Sequence, residues 1–301
     1  MSANTVAQID STALYRYDQF SYQPKKVRNL LVGTALVYGA SMYGLNQAWY
    51  AGYPKTAFHF HNDNDQWLQV DKIGHTYSAY TESLLYYRSL ERTGMNRKKA
   101  IWIGGGFGFF AQTVIEVLDG FSAEWGASTG DLIANTAGSA LLIGQELIWK
   151  EQKVLMKWSF HPVLYPAGQL RDRAHNLYGS QWYVSFLKDY NGQSYWLSAS
   201  IKSFFKNINL PNWLCLSAGY SAEQMYGGQD NTWEENGFQI DRNDIPRLRQ
   251  YLLSLDVDFT RIKTQKRFLK KVLIVLNVIK IPAPTIELRS NGRIKTHLLY
   301  F

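Results

Sequence analysis

The chain has 301 residues, which is enough for one large domain or two ordinary ones with a real core. Only 19% of its residues are charged and 15% are aromatic, and Tyr and Trp suit the boundary between lipid and water. A formal net charge of +8 favours an anionic partner such as lipid headgroups, and without a nucleic-acid-binding motif we expect no nucleic acid partner. The single cysteine, Cys215, excludes an internal disulfide and any cysteine-cluster metal site.

The N-terminal segment, residues 1–24, contains a pattern typical of a signal-peptidase site. Thr5 and Ala7 are the small residues expected just before a cut. We therefore interpret Met1 as an internal methionine of a longer signal peptide. Residues 1–7 would be its remnant and Gln8 the mature start. The sequence has no lipobox cysteine, so the residues themselves do not indicate a lipid anchor.

Residues 25–160 have the pattern of a helical bundle. They include three uncharged stretches, at 29–53, 100–115 and 132–145. The first is long enough to cross a bilayer but only weakly apolar, and the other two fit buried or re-entrant helices. Small residues recur four positions apart, as in Gly104 with Gly108 and Ala134 with Gly138. Because this spacing lets helix backbones approach closely, we predict about four helices set in or against a membrane.

We predict that residues 161–301 form an antiparallel, β-rich domain of about five or six strands. With the helical bundle before it, the predicted fold class is α+β. Apolar residues alternate with polar ones from about residue 180. Asn191-Gly192 and Asn291-Gly292 predict two tight hairpins, the first joining strands at 182–190 and 193–201. The chain ends on Phe301, as outer-membrane barrels often do, but there are too few strands for a complete barrel.

A basic and apolar segment at 261–281 lies between the last predicted strands. Its six basic residues are Arg261, Lys263, Lys266, Arg267, Lys270 and Lys271. One interpretation is a solvated loop that leads into a core helix. The other is an interfacial segment that places these cations on lipid headgroups and the following Val, Ile and Leu side chains below them.

Three predicted helices carry polar residues at helical spacing. The set comprises Asp71, Lys72, His75, Glu116, Asp119, Ser128, Asp131 and Asn135. Within each helix these residues are three, four or seven positions apart, so they share one helix face. Ser128 precedes the last of these helices and is a candidate N-cap. Because charges among apolar helices are costly unless paired, we expect the three faces to converge into one polar cluster.

The residues leave three interpretations of this polar cluster open. A closed network of ion pairs and hydrogen bonds is favoured, with no cofactor and no catalytic residue. The second is a divalent metal such as Zn or Mn, bound by Asp71, His75, Glu116 and Asp131. The third is a catalytic pair, His75 and Glu116, acting on a lipid or glycan.

The segments DKIGHTYSAY and VIEVLDGFSAEWGASTGDLIANTAGS resemble the YfiM-like family of predicted periplasmic lipoproteins of unknown function. More distantly they are similar to VanZ-like membrane proteins. The resemblance covers about residues 68–145 and maps the family's motif onto Asp71, Lys72, His75, Glu116, Asp119, Asp131 and Asn135. It implies an envelope location and supplies no reaction. The added β-rich half resembles long versions of the family in Bacteroidota, where secretion and outer-membrane assembly machines have many extra subunits.

These observations predict a non-enzymatic protein on the periplasmic side of the outer membrane. We expect an accessory subunit of an outer-membrane assembly or secretion complex. Its partners would be membrane lipid and an outer-membrane β-barrel or other secretion-complex subunits. The alternative is an enzyme, a metal-assisted hydrolase or transferase that acts on an envelope lipid or glycan. A soluble periplasmic binding protein, with the aromatics lining a cleft, is a third possibility.

Overall fold

The structure, a computed structural model, describes residues 21–301 apart from the side chains at 48, 49 and 267. The predicted signal-peptide remnant 1–7 and the mature start at Gln8 lie outside the described residues. Four long helices come first: α1 (Pro24–Leu45), α2 (Val70–Glu91), α3 (Arg97–Gly120) and α4 (Thr129–Ile148). They confirm the prediction of about four helices in this part of the chain.

An antiparallel sheet follows, with strands β1 (Val154–Phe160), β2 (Gln193–Ser200), β3 (Leu214–Glu223), β6 (Leu248–Val257), β7 (Ala283–Arg289) and β8 (Ile294–Tyr300). Their spatial order is β1-β2-β3-β6-β7-β8. A separate hairpin pairs β4 (Thr232–Glu235) with β5 (Phe238–Asp241). Shorter helices connect the strands: α5 (Gln169–Tyr178), α6 (Trp182–Lys188), α7 (Ile201–Phe204) and α8 (Arg267–Leu276). The α+β fold class is therefore confirmed.

Glycines bring α3 and α4 against α2, as their spacing predicts. A Cβ atom added at Gly108 would collide with the carbonyl oxygen of Ala79, and one added at Gly138 would collide with the carbonyl oxygen of Thr76. The buried hydroxyl of Ser83 donates to the Gly105 carbonyl oxygen at 2.6 Å. Close backbone packing thus fixes α3 and α4 against α2, and with them the side chains of the polar cluster.

The predicted hairpin around Asn191-Gly192 is wrong in its first strand. Residues 182–188 form α6 instead of a strand, and β2 pairs with β1. Because Trp182 and Phe186 are four positions apart, the same apolar run fits a helix, and Phe186 packs edge-on against Trp158 at a centroid distance of 4.7 Å. The range 25–160 is predicted to be helical, but its last residues form β1, which belongs to the sheet. The Asn291-Gly292 hairpin is confirmed, with Gly292 at a φ of 79°.

The sheet curls strongly, so that strands far apart in its order approach one another. The hydroxyl groups of Ser194 on β2 and Tyr300 on β8 are 3.3 Å apart, although β3, β6 and β7 lie between those strands. Beside β1, the Trp158 amide donates to the Val278 carbonyl oxygen at 3.1 Å, and the Lys280 amide donates to the Trp158 carbonyl oxygen at 2.8 Å. At the β1 edge, a single β-bridge between Trp158 and Ile279 therefore stands where a further strand would pair.

A sheet that covers an apolar core has a buried apolar face and an exposed polar face. In this sheet the two faces are reversed. Neighbouring positions on the concave side form a buried polar row: Ser198, Ser217, Ser254 and Thr285. The row beside it faces outward and is apolar: Leu197, Ala218, Leu253 and Ile286. We call these sides the inner face and the outer face. Leu197, Leu253 and Ile286 are 46%, 46% and 52% exposed, so the outer face is largely uncovered.

One helix among the described residues, α3, is long and apolar enough to cross a membrane by length and composition. Of its most apolar 18-residue window, 39% is buried against the rest of the protein. A core helix of a soluble protein meets the same criterion, so α3 alone does not define a membrane span.

Candidate functional site

Lys72, in the first turn of α2, is the centre of the polar cluster. Its ammonium nitrogen lies 2.6 Å from Asp63 Oδ2, 2.9 Å from Asp131 Oδ1 and 3.3 Å from Asp71 Oδ2. Burial alone would lower the pKa of Lys72, but the neighbouring carboxylates outweigh burial and raise it. The side chain therefore stays charged and acts as an internal counter-ion for three acids.

Asp63 reaches Lys72 because the segment before α2 is held against the loop between α3 and α4. The His61 amide donates to the Ala127 carbonyl oxygen at 3.0 Å, and the Ala127 amide donates to the His59 carbonyl oxygen at 3.0 Å. Asp63 is outside the predicted cluster, since it has no helical spacing to the other acids. Its adjacency to the cluster depends on these two backbone bonds.

His75 lies one turn beyond Asp71 on α2, between α3 and α4. Its Nδ1 atom is 3.2 Å from Asn135 Oδ1 and 3.7 Å from Glu116 Oε1, and its Nε2 atom is 3.8 Å from Asp131 Oδ1. Burial lowers the pKa of His75, but the nearby carboxylates of Asp71, Asp131 and Glu116 outweigh it and raise the pKa. The surroundings thus favour a charged imidazolium that bridges the three helices.

Glu116 and Ser128 close the cluster on the far side of His75. The Ser128 amide donates to Glu116 Oε2 at 3.0 Å, and the Ser128 hydroxyl donates to Asp63 Oδ1 at 2.5 Å. The same hydroxyl accepts the Asp131 amide at 3.1 Å, which confirms Ser128 as the N-cap of α4. Burial raises the pKa of Glu116 to about 7.

Asp119 shares a helix face with Glu116 but lies outside the Lys72 and His75 contacts. It accepts a hydrogen bond from the Tyr50 hydroxyl at 2.6 Å, and burial raises its pKa to about 6. The structure therefore brings together seven of the eight predicted residues: Asp71, Lys72, His75, Glu116, Ser128, Asp131 and Asn135. Besides Asp63, Tyr190 joins the cluster from the β-rich half, and its hydroxyl donates to Asp71 Oδ1 at 2.6 Å.

A cavity of about 580 Å³ opens beside the cluster, where the helices meet the sheet. Its acidic wall includes Asp71, Glu82, Asp119 and Asp131 together with His75. Tyr and Trp side chains also line it, among them Tyr50, Trp67, Trp125, Trp158 and Tyr190. Such a mixture of charge and aromatic surface could hold a small cationic group or a metal ion.

Three residues have the geometry of a metal site. One ligand atom each from Asp71, His75 and Asp131 lies within 4.8 Å of the other two. Glu116, the fourth predicted ligand, is outside this group. The donor set suits Zn or Mn, but Lys72 already contacts both carboxylates. A metal would therefore compete with the ammonium group for the same oxygens.

The basic segment 261–281 forms an amphipathic helix, α8, after a short turn. Arg261 is bound by Asp258 at 2.8 Å and Glu151 at 2.7 Å, so acids of the protein neutralise it. Lys263, Lys266 and Lys271 are exposed, Lys270 is half-buried, and the side chain of Arg267 lies outside the described part of the chain. Phe268 is 80% exposed beside these cations, a combination typical of an interfacial helix.

The fold and the site define an α+β protein in which a glycine-packed helical bundle encloses a cluster of acids, one lysine and one histidine. Residues 59–144 match the model of a family described as predicted periplasmic lipoprotein (DUF2279). This range covers less than half of the chain and includes all eight predicted cluster residues as well as Asp63. The match supports an envelope protein of the periplasmic side, and the family's description names no activity. No curated protein and no solved structure matches the chain significantly.

Proposed function

We propose that the protein is a non-enzymatic, membrane-bound subunit on the periplasmic side of the outer membrane. The observation that carries the proposal is the reversed sheet, with serines and ion pairs on the inner face and leucines on the outer face. In water the buried face of a sheet is normally the apolar one. An exposed apolar face next to a polar interior is instead the arrangement of sheets whose outer surface contacts lipid.

Two helices extend the apolar surface beyond the sheet. In α1 no residue is buried, and Leu36 and Val37 are 70% and 69% exposed. In α8, Phe268 and Val275 are 80% and 63% exposed next to exposed lysines. Cations beside apolar side chains favour binding to the surface of an anionic leaflet. We therefore propose that lipid covers these helices and the outer face.

The edge strand β8 supports a role in a larger complex. Within the sheet, β7 is its one hydrogen-bonded neighbour. Leu298 and Leu299 on this strand are 89% and 63% exposed. An exposed edge strand that carries apolar side chains is a template for pairing with another strand. An outer-membrane barrel or another β-rich subunit of an assembly or secretion machine would suit this edge.

The polar cluster has a structural role in this proposal. It connects α2, α3, α4 and the segment that contains Asp63 through ion pairs and hydrogen bonds. Lys72 supplies the positive charge that the acids need. The protein would then require neither a metal nor a reaction at His75.

Fractionation of cells that express the full chain tests the membrane proposal. We expect the protein to sediment with membranes, to resist extraction by carbonate and to require detergent. Leu253→Lys should shift protein to the soluble fraction or leave it aggregated, because a Lys side chain facing lipid costs about 2–4 kcal/mol at mid-bilayer depth. Gln239→Lys, on the exposed β4–β5 hairpin, adds the same charge and should behave like the wild type. Release of the wild-type protein without detergent would refute the proposal.

The metal-assisted hydrolase or transferase is a second candidate, supported by the geometry of Asp71, His75 and Asp131. Elemental analysis of the purified protein separates the two. Because Lys72 neutralises two of these groups, we expect less than stoichiometric Zn or Mn and no rise in melting temperature on adding either ion. One metal ion per chain that is lost in His75→Ala would favour the enzyme instead.

A further inference from the structure

A second cavity, of about 730 Å³, lies between α4 and the outer face of β1, β2 and β3. Its lining includes Ile73, Ala140, Leu141, Met156, Leu197 and Ala218. We propose that this groove binds one acyl chain of an anionic phospholipid, an inference that rests on the proposed membrane function. Its volume is within the range of about 300–1,000 Å³ that is typical of small-molecule sites.

The groove has few polar groups for a hydrophilic ligand to contact. The Gln145 amide nitrogen donates to Gln152 Oε1 at 3.0 Å, and its oxygen accepts the Lys153 and Val154 amides, both at 2.9 Å. The Thr76 hydroxyl donates to the Lys72 carbonyl oxygen at 3.0 Å, and the Tyr195 hydroxyl donates to Gln193. Because these groups bond within the protein, burial of an apolar chain would leave them satisfied.

Small residues on α4 keep the groove open on the helix side. Ala137, Ala140 and Gly144 line it, and a Cβ atom added at Gly144 would have no atom within 4 Å. This contrasts with Gly138, six residues earlier, where an added Cβ atom would collide with α2. The helix α4 therefore packs tightly against α2 at Gly138 and leaves open space at Gly144, where it lines the groove.

A cation lies near Trp149, which lines the groove. Lys153 places its ammonium nitrogen 5.1 Å from the centroid of the Trp149 ring and 5.3 Å from that of Phe204. The ammonium group donates to the Ser203 carbonyl oxygen at 3.2 Å, and among residues 21–301 no carboxylate forms an ion pair with it. A cation between aromatic rings beside an apolar groove is complementary to an anionic headgroup on an acyl chain.

The groove is continuous with the surface that we propose to contact lipid. Leu197 and Ala218 in its wall belong to the same outer-face row as Leu253 and Ile286. A chain in the surrounding leaflet could therefore enter sideways without crossing a polar barrier. This continuity favours an acyl chain over a peptide, whose backbone amides would lack partners in the groove.

Photocrosslinking in nanodiscs tests the inference. The probe is phosphatidylglycerol with a diazirine near the end of one acyl chain, and labelled peptides are identified by mass spectrometry. We expect label on groove residues such as Met156 and on outer-face residues such as Ile286. Gly144→Phe should abolish the groove label and keep the outer-face label, because the ring fills the groove without a backbone clash. The matched control Gly33→Phe, which adds the same ring where α1 also leaves open space, should keep both labels.

The headgroup is tested with the same chain on phosphatidylcholine. We expect about fivefold less groove label than with phosphatidylglycerol, and Lys153→Gln should remove that difference. Outer-face label without groove label would overturn this inference and leave the membrane proposal standing. Absence of label at both places would overturn both. Equal groove labelling by the two lipids would refute the role of Lys153.

Discussion

Lys72→Met is expected to lower the free energy of unfolding by about 3–5 kcal/mol, the usual cost of breaking a buried ion pair by removing one partner. The ammonium group of Lys72 lies within 3.3 Å of oxygens from Asp63, Asp71 and Asp131, and its side chain is 13% exposed. Methionine has a similar length and supplies no charge. The three acids would then repel one another without a counter-ion.

Denaturant titration in mild detergent measures this loss. The matched control is Lys99→Met, at an exposed position near the start of α3, which should change the free energy of unfolding by less than about 0.5 kcal/mol. An equal effect of the two substitutions would contradict a central role for Lys72.

The pH dependence of the Lys72→Met variant has a definite sign. Burial already raises the pKa of Asp131 to about 6, and Lys72 limits that rise while it helps to hold the pKa of Asp63 low, so loss of the ammonium group raises the folded-state pKa of both acids. A group with a raised folded-state pKa favours folding below its unfolded pKa, and this contribution is lost as the pH rises through its folded pKa. The deficit relative to the wild type should therefore be largest near pH 7 and shrink as the acids are protonated. A deficit that grows toward acidic pH would argue against charge as its cause.

Helical spacing predicts most residues of the polar cluster because three helices, α2, α3 and α4, supply most of them. It fails where the partner comes from elsewhere in the chain. Asp63 arrives from an extended segment, and Tyr190 is 119 positions away from Asp71. Asp119 shows that a shared helix face does not guarantee a shared contact. It lies on the same face as Glu116 but three positions further along α3, and its carboxylate contacts Tyr50 instead of His75.

Alternation of polar and apolar residues predicts strands and cannot predict which face is buried. In β6, Leu253 and Leu255 alternate with Ser254 and Asp256, so either face could point to the interior. The usual assumption buries the leucines. In the structure Ser254 and Asp256 are 4% and 1% exposed, whereas Leu253 and Leu255 are 46% and 48% exposed. The choice depends on pairing between strands distant in sequence, which a single strand does not contain.

Breaking the ion pair between Lys157 and Asp256 on the inner face should have a similarly large effect. Lys157 Nζ and Asp256 Oδ2 are 2.9 Å apart, and both side chains are fully buried. The ammonium group also donates to the Val257 carbonyl oxygen at 2.7 Å, and Asp256 Oδ2 accepts the Ser198 hydroxyl at 2.6 Å. Lys157→Met should cost about 3–5 kcal/mol of unfolding free energy, because it leaves Asp256 buried without its ion-pair partner.

The double variant Lys157→Met/Asp256→Leu separates the ion pair from the packing around it. Asp256→Leu alone leaves Lys157 unpaired beside Lys280, whose pKa burial lowers to about 8. Removing both charges should restore much of the stability lost in either single variant, since a buried pair replaced by apolar residues of similar size is often neutral. Costs that simply add would show that the two groups do not interact. Coupling together with retained membrane binding would show that this internal ion pair stabilises the fold and is not needed to hold the protein on lipid.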